Sequence, residues 1–380
     1  MKAVFLTRFD FTENKKDGGL LGAYRNYELL EHTYGTENIM LCIISSKKKE
    51  DHANIKYFFS PDDIVYNYLT YFFLKDRLGS RVEREIIRYI NECCPDLIFY
   101  DGSTYGQLVN KIEYVKKQIV YFHNIERQYT WEQVRKHSWL CIFRYIATCF
   151  NERKMAETVK NRICVNERDA KLLEKYYGKK CNFILPATFT DRCKGMELNP
   201  IKKEMPTGKD ELQLLFVGSY FAHNYTGLKW FIKEVLPYIK CTLTIVGKNM
   251  EKMQNEFKKI FSDKTIIKGT VENLEEYYIA SDAVVMPIFM GGGIKVKTAE
   301  AMMYGKTIFA SPEALRGYET QGIDNIFQCG SGEEFINTIN NYCIGKSRRR
   351  YNPEIRRLFL EQYDTEAIQA KFQTYLQKVE

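Results

Sequence analysis

Apolar positions along the chain gather into short β-branched and aromatic runs, each followed by a segment of helical spacing. In the first half the runs are Ala3–Leu6, Ile39–Ile44, Leu97–Tyr100, Ile119–Phe122, Ile163–Val165 and Phe183–Leu185. In the second half they are Leu214–Val217, Leu243–Val246, Thr265–Ile267, Ala283–Met286, Thr307–Ala310 and Ile326–Gln328. Runs without in/out alternation suit strands covered on both faces of a sheet. Strand and helix alternating throughout predict an α/β fold with parallel sheets and crossover helices. So many strands do not belong in one sheet. Between Pro186 and Glu211 the chain carries Pro200, Pro206, Gly195 and Gly208 and no periodic apolar pattern, which reads as a linker. The pattern therefore predicts a first doubly wound domain over residues 1–190, a linker over 191–211 and a second doubly wound domain over 212–352. One or two amphipathic helices follow over 353–380, where Ile368, Phe372 and Leu376 recur on one face. The aromatic stretch Lys56–Leu74 reads as core plus loop rather than a membrane patch, with contact to an acceptor as the alternative.

Composition changes this picture little. The chain has 380 residues, 45% hydrophobic and 27% charged, as an ordinary globular protein does. Its 56 Lys and Arg against 48 Asp and Glu give a net charge of +8, which suits an anionic ligand or an anionic membrane face. That excess is thin for a DNA binder, so no nucleic acid partner is expected. The eleven cysteines are scattered with no C-x-x-C pair, as free thiols of a reducing compartment are. No window approaches the roughly 18 uninterrupted apolar residues of a spanning helix. The expected location is cytoplasmic, at most peripheral on the inner membrane face. The basic run Lys346, Arg348, Arg349, Arg350, with Arg356 and Arg357, reads as a solvated face that could also meet acidic headgroups.

Chemistry in such folds sits just after the strands. The segment Met286–Lys306 leaves a strand, passes Gly291, Gly292 and Gly293, and enters a helix near Lys295. Consecutive glycines let backbone N–H groups approach an anion, and the helix N-terminus adds its positive end. Lys297 and Glu300, three apart, share a face of that helix. A lysine beside phosphates and a carboxylate on two ribose hydroxyls would bind a nucleoside diphosphate. The same residues also read as a Gly-rich turn and a surface helix with an ordinary Lys–Glu pair. His123, directly after the run Ile119–Phe122, could hydrogen-bond a sugar hydroxyl without permanent charge.

The order of the whole segment is more specific. MPIFMGGGIKVKTAEAMMYGK resembles the donor-binding region of GT-B glycosyltransferases, in particular the retaining family 4 and its "group 1" relatives. The likeness extends upstream through Phe216–Pro237, Ile245–Gly247, Gly269–Tyr278 and Ala280–Pro287, in the expected order. The first half is similar more loosely, at Asp17-Gly18-Gly19, His123–Glu126, Asn151–Ala156 and Arg162–Leu173. The resemblance implies a GT-B architecture, two Rossmann-like domains facing across a cleft, the first binding the acceptor and the second the nucleotide-sugar, with the helices of 353–380 crossing back to the first domain. It implies a retaining transferase moving a hexose-type sugar from a UDP- or GDP-sugar to a glycan or lipid-linked glycan, in surface polysaccharide biosynthesis. Carried over by position, donor binding falls to Gly18, Gly19, Gly218, Lys248, Val271, Gly291, Gly292, Gly293, Lys295, Lys297 and Glu300. His123 and Lys297 take the catalytic positions. No metal and no cofactor beyond the nucleotide-sugar co-substrate are implied, and the chain has no D-x-D. Two positions depart from the pattern: Gly292 stands where the first of two glutamates is usual, and Ser219 has no arginine nearby. A degenerate nucleotide-sugar binder supporting a partner, or a sugar-nucleotide epimerase, are the competing readings.

Overall fold

The computed structural model describes residues 2–12, 18–113, 115–136, 141–196, 198, 211–253, 264–290, 294–345 and 348–379. It divides into two units, Met1–Ala187 with Gln369–Glu380, and Thr188–Ile368.

The first unit is built on β1 (Ala3–Thr7), β2 (Ile39–Ser45), β3 (Ile55–Phe59), β4 (Leu97–Asp101), β5 (Lys117–Phe122), β6 (Asn161–Cys164) and β7 (Phe183–Ile184). They form one parallel sheet in the order β3-β2-β1-β4-β5-β6-β7. The second unit holds β8 (Leu212–Val217), β9 (Cys241–Val246), β10 (Thr265–Gly269), β11 (Ala283–Met286), β12 (Thr307–Ala310) and β13 (Ile326–Gln328). Their order is β10-β9-β8-β11-β12-β13. Strands β1, β4, β11 and β12 are buried at every position, which is why their sequences do not alternate. The chain reverses its direction of travel across the sheet between β1 and β4, and again between β8 and β11. Each reversal opens a crevice at the carboxyl ends of those strands.

Two readings of the sequence change. The stretch Lys56–Leu74 is not core plus loop: it holds most of the edge strand β3 and the helix Ile64–Phe72, in which only Thr70 and Tyr71 are buried. The basic run is a solvated face only in part: Arg349, Arg350 and Arg357 are exposed, whereas Arg348 is half-buried and Arg356 buried. Arg348 and Arg350 converge on the buried carboxylate of Asp282 at 3.1 and 2.8 Å, and this carboxylate also accepts from the backbone N–H of Gln213 at 2.9 Å. Lys346 lies outside the described residues.

The unit boundaries also fall differently from the sequence division. Residues from Thr188 onward go with the second unit. There the backbone of Phe189 donates to Tyr363 at 2.8 Å and accepts from Thr365 at 3.2 Å. Arg356 holds Asp191 through two bonds of 2.9 and 2.5 Å. The helix Pro353–Gln362 also stays with that unit, burying Ile355 and Phe359. The boundary then falls inside the last helix, Thr365–Lys378. Beyond it, Phe183 packs against Phe372 and Tyr375, with ring centroids 5.9 and 4.8 Å apart, and Gln369 donates to the carbonyl of Leu29 at 3.1 Å. All eleven cysteines are free thiols.

Candidate functional site

In the second unit the crevice between β8 and β11 is built from three loops. Gly218 follows β8 and donates to the carbonyl of Val246 at 2.9 Å. Gly247 follows β9 with φ +149°, and a Cβ there would stand 2.0 Å from the carbonyl oxygen of Gly218. No other residue fits that approach. The helix Ala222–Glu234 starts next, and its Asn224 donates to the carbonyl of Ser219 at 2.8 Å. The third loop leaves β11 and leads to the helix Val296–Met303.

Lys297 projects from that helix back to the first loop. Its ammonium donates to Asn224 Oδ1 at 2.8 Å and lies 4.9 Å from the centroid of the Phe216 ring. A Cβ on Gly218 would be 2.8 Å from Nζ, so the missing side chain leaves the space the ammonium occupies. Burial pushes the Lys297 ammonium down to about 8, with Glu300 opposing and Lys295 adding to the shift. One turn further, Glu300 accepts from Arg192 at 2.7 Å through Oε1 and from the buried Tyr278 hydroxyl at 3.2 Å through Oε2. An ionised carboxylate has about four acceptor sites, so both oxygens keep capacity. The structure thus brings Gly218, Lys297 and Glu300 together.

The other expected donor residues divide. Lys295 is committed elsewhere, its ammonium on Glu313 at 2.9 Å and its carbonyl accepting from Tyr318 at 2.8 Å. Lys248 is exposed just beyond β9, and its carbonyl accepts from Tyr220 at 2.9 Å. Val271 is half-buried two residues past β10, where Gly269 turns the chain with φ +67°. Gly291, Gly292 and Gly293 lie outside the described residues.

In the first unit, His123 stands at the end of β5. Its Nε2 meets Asp101 Oδ1 at 2.9 Å. Asp101, the last residue of β4, is buried and also accepts from Thr7 and Asn26, each at 2.9 Å. A carboxylate only accepts, so Nε2 carries the proton and Nδ1 is the acceptor when the ring is neutral. The ring packs against Tyr121 and Phe9 at 4.7 and 5.3 Å between centroids. Gly19 lies under Phe9, where a Cβ would come within 2.5 Å of its ring. Gly18 begins the helix Gly18–Tyr34.

Sequence reasoning missed Asp101, Asn224, Tyr278 and Arg192. A carboxylate closing a predicted strand could have flagged Asp101. Arg192 had no signal, because it lies in the aperiodic stretch after Pro186. Among the described residues no three His, Cys, Asp or Glu side chains are grouped as a metal set would be.

The sequence model of the family "Glycosyl transferases group 1" matches residues 211–343. No curated protein matches the chain. Among solved structures, the chain is similar to the lipopolysaccharide outer core galactosyltransferase WaaB, with TM-score 0.64, 14% identity and 100% of both chains covered. It is similar to HepE of Anabaena in complex with UDP, with TM-score 0.61, 12% identity and 100% of both chains covered. A trehalose-6-phosphate synthase, whose structure addresses glycosyl transfer with retention, gives TM-score 0.55, 10% identity and full coverage of both chains. At these identities the likeness is one of fold, the GT-B fold of two parallel-sheet α/β units.

Proposed function

We propose, from the match of residues 211–343 to the glycosyl transferases group 1 model, that the chain transfers a sugar from a nucleoside diphosphate donor with retention of configuration. The observation that carries this reading is the ammonium of Lys297, held by Asn224 at 2.8 Å beside Gly218, with Glu300 one turn away at the reversal of the sheet. A half-buried ammonium there stabilises the charge that develops on the departing diphosphate, where low dielectric makes it most effective. Glu300 accepts the ribose hydroxyls, Lys248 adds positive charge, and the backbone at Val271 meets the base. The sequence resemblance gives Gly291, Gly292 and Gly293 to the donor's sugar and phosphates as well. In the first unit, His123 accepts a hydroxyl proton or hydrogen bond at Nδ1, oriented by Asp101, and Gly19, in the first turn of the helix Gly18–Tyr34, leaves room for the Phe9 ring that packs beside it. The acceptor is a glycan or lipid-linked glycan of a surface polysaccharide, and no metal takes part. The similar HepE holds UDP, which favours a uridine donor over a guanosine one.

A thermal-shift panel of UDP-, GDP-, ADP- and dTDP-sugars tests the donor class. A bound donor at about 100 times its Kd stabilises the protein by about 2.7 kcal/mol. If none of the four raises the melting temperature, the donor site is misplaced.

The lysine gives the reaction a pH signature. Its ammonium is present below pH 8 and is lost as the pH rises through about 8 in the free protein. Because kcat/KM reports the free enzyme, it should fall roughly tenfold per pH unit above about 8. Lys297→Arg stays charged throughout, so its residual activity should lack that limb. An identical alkaline limb in both proteins would remove Lys297 from the reading.

A further inference from the structure

Arg192 belongs to the stretch that the apolar pattern assigns to a linker, yet the fold anchors the chain on both sides of it. Before it, Phe189 exchanges backbone bonds with Tyr363 and Thr365 at 2.8 and 3.2 Å, and Asp191 takes two bonds from the Arg356 guanidinium. After it, Cys193 is buried among apolar side chains of the second unit, and its N–H donates to Asp191 Oδ1 at 3.0 Å. With both neighbours held, the Arg192 side chain leaves the backbone at a set place. It spans 108 residues of sequence to donate to Glu300 Oε1 at 2.7 Å.

An ion pair on an open surface contributes little and fixes little. This one differs on the side of its carboxylate. The Glu300 side chain is only 16% exposed, and its second oxygen accepts from the Tyr278 hydroxyl at 3.2 Å. Tyr278 is itself buried, its ring stacked on Tyr304 with centroids 4.5 Å apart. The terminal torsion of a glutamate is broad, so a carboxylate held at one oxygen still turns. Held by Arg192 at one oxygen and by Tyr278 at the other, its plane is set. Each oxygen then offers its second acceptor site to a ligand. Two acceptor sites side by side in one plane match two neighbouring hydroxyls, and a carboxylate ordered before binding spares the ligand that cost.

We propose that Arg192 is a positioning residue of the donor site, fixing the Glu300 carboxylate for the two hydroxyls of a ribose. The proposal rests on the reading of Glu300 as the ribose acceptor. Titration calorimetry of the full chain with UDP and with dideoxy-UDP, which lacks both ribose hydroxyls, tests it. The wild-type chain should bind UDP at least about tenfold more tightly than the dideoxy nucleotide. Arg192→Ala should weaken UDP binding about tenfold and leave dideoxy-UDP within about twofold of wild type. Added to Glu300→Gln, it should cost UDP little more, because both changes undo one arrangement. Unliganded Arg192→Ala should melt within a few degrees of wild type, and Arg192→Met, which keeps the apolar stem, replaces it if it does not. Equal weakening of both nucleotides overturns the proposal, since the guanidinium would then act on the diphosphate. Tighter UDP binding by Arg192→Ala overturns it too, for the guanidinium would then stand in the ribose's place. So does unchanged UDP binding. A wild type that binds neither nucleotide or does not distinguish them, or a Glu300→Gln variant that distinguishes them as wild type does, overturns the ribose reading itself and the proposal with it.

Discussion

Lys297→Ala should lower kcat/KM for the donor by about 100- to 1000-fold, the range seen when one preorganised group facing developing charge is removed. Stability should move far less. The substitution leaves Asn224 Oδ1 without its partner, which costs on the order of 1–3 kcal/mol if the site stays dry. It also removes an ammonium that burial holds at about 8, a charge the folded protein accommodates at a cost. These two effects oppose each other. Lys297→Met, which keeps the apolar stem over the Phe216 ring, separates them: it should melt within a few degrees of wild type and be as inactive as the alanine variant. Glu300→Gln should cost about 10- to 100-fold, since the amide can still accept one hydroxyl. Single-turnover assays on the three variants check this. Wild-type turnover in Lys297→Met would show that the ammonium serves packing alone.

Gly227→Ala should destabilise the second unit by about 3 kcal/mol, at the upper end of ordinary overpacking. The added Cβ would stand 1.7 Å from the carbonyl oxygen of Pro287, a backbone atom that cannot swing aside. For a unit of this size the melting temperature should fall by roughly 6–12 °C. Gly332→Ala is the control, because a Cβ there meets nothing closer than the Trp230 ring at 3.6 Å and sits in the first turn of a helix. It should be neutral or slightly stabilising. Calorimetry on both variants decides the matter, and equal melting of Gly227→Ala and wild type would mean that the helix and the loop separate at little cost. The contact also bears on chemistry: it fixes the helix carrying Asn224 against the loop that leads to Lys297.

What the sequence made legible was what its periodicity encodes. All twelve apolar runs are strands: β1, β4, β11 and β12 are covered on both faces along their whole length, whereas β7, β10 and β13 lie at sheet edges and were legible from their short apolar runs alone. The strand that escaped is β3, IKYFF, at the sheet edge. An edge strand has one neighbour and a partly wet face, so Lys56 and Tyr57 sit in it at little cost and blur the run. The aromatic helix Ile64–Phe72 misled for the opposite reason. Apolar content normally signals core, and nothing in the order of residues says that Ile64, Leu69 and Phe72 face outward. Of the candidate site, Lys297 and Glu300 were legible through their spacing on one helix. Their partners were not, because Asn224 comes 73 residues earlier and Arg192 108 residues earlier. Long-range pairs of that kind leave no local periodicity. The pairing of Lys295 with Glu313, 18 residues on, was equally out of reach of the local pattern.

The return of the last helix to the first unit has a consequence for biosynthesis. Phe183 finishes its packing only against Phe372 and Tyr375, and about 180 residues of the second unit are made between them. At about 5–20 residues per second, a ribosome needs roughly 10–40 s to cover that distance. Throughout this interval the first sheet has β1 to β7 in hand but lacks the helix that covers Phe183. The nascent chain therefore carries an incompletely covered sheet face while the second unit emerges, and it is in this window, rather than in the finished protein, that a chaperone would find the most to hold.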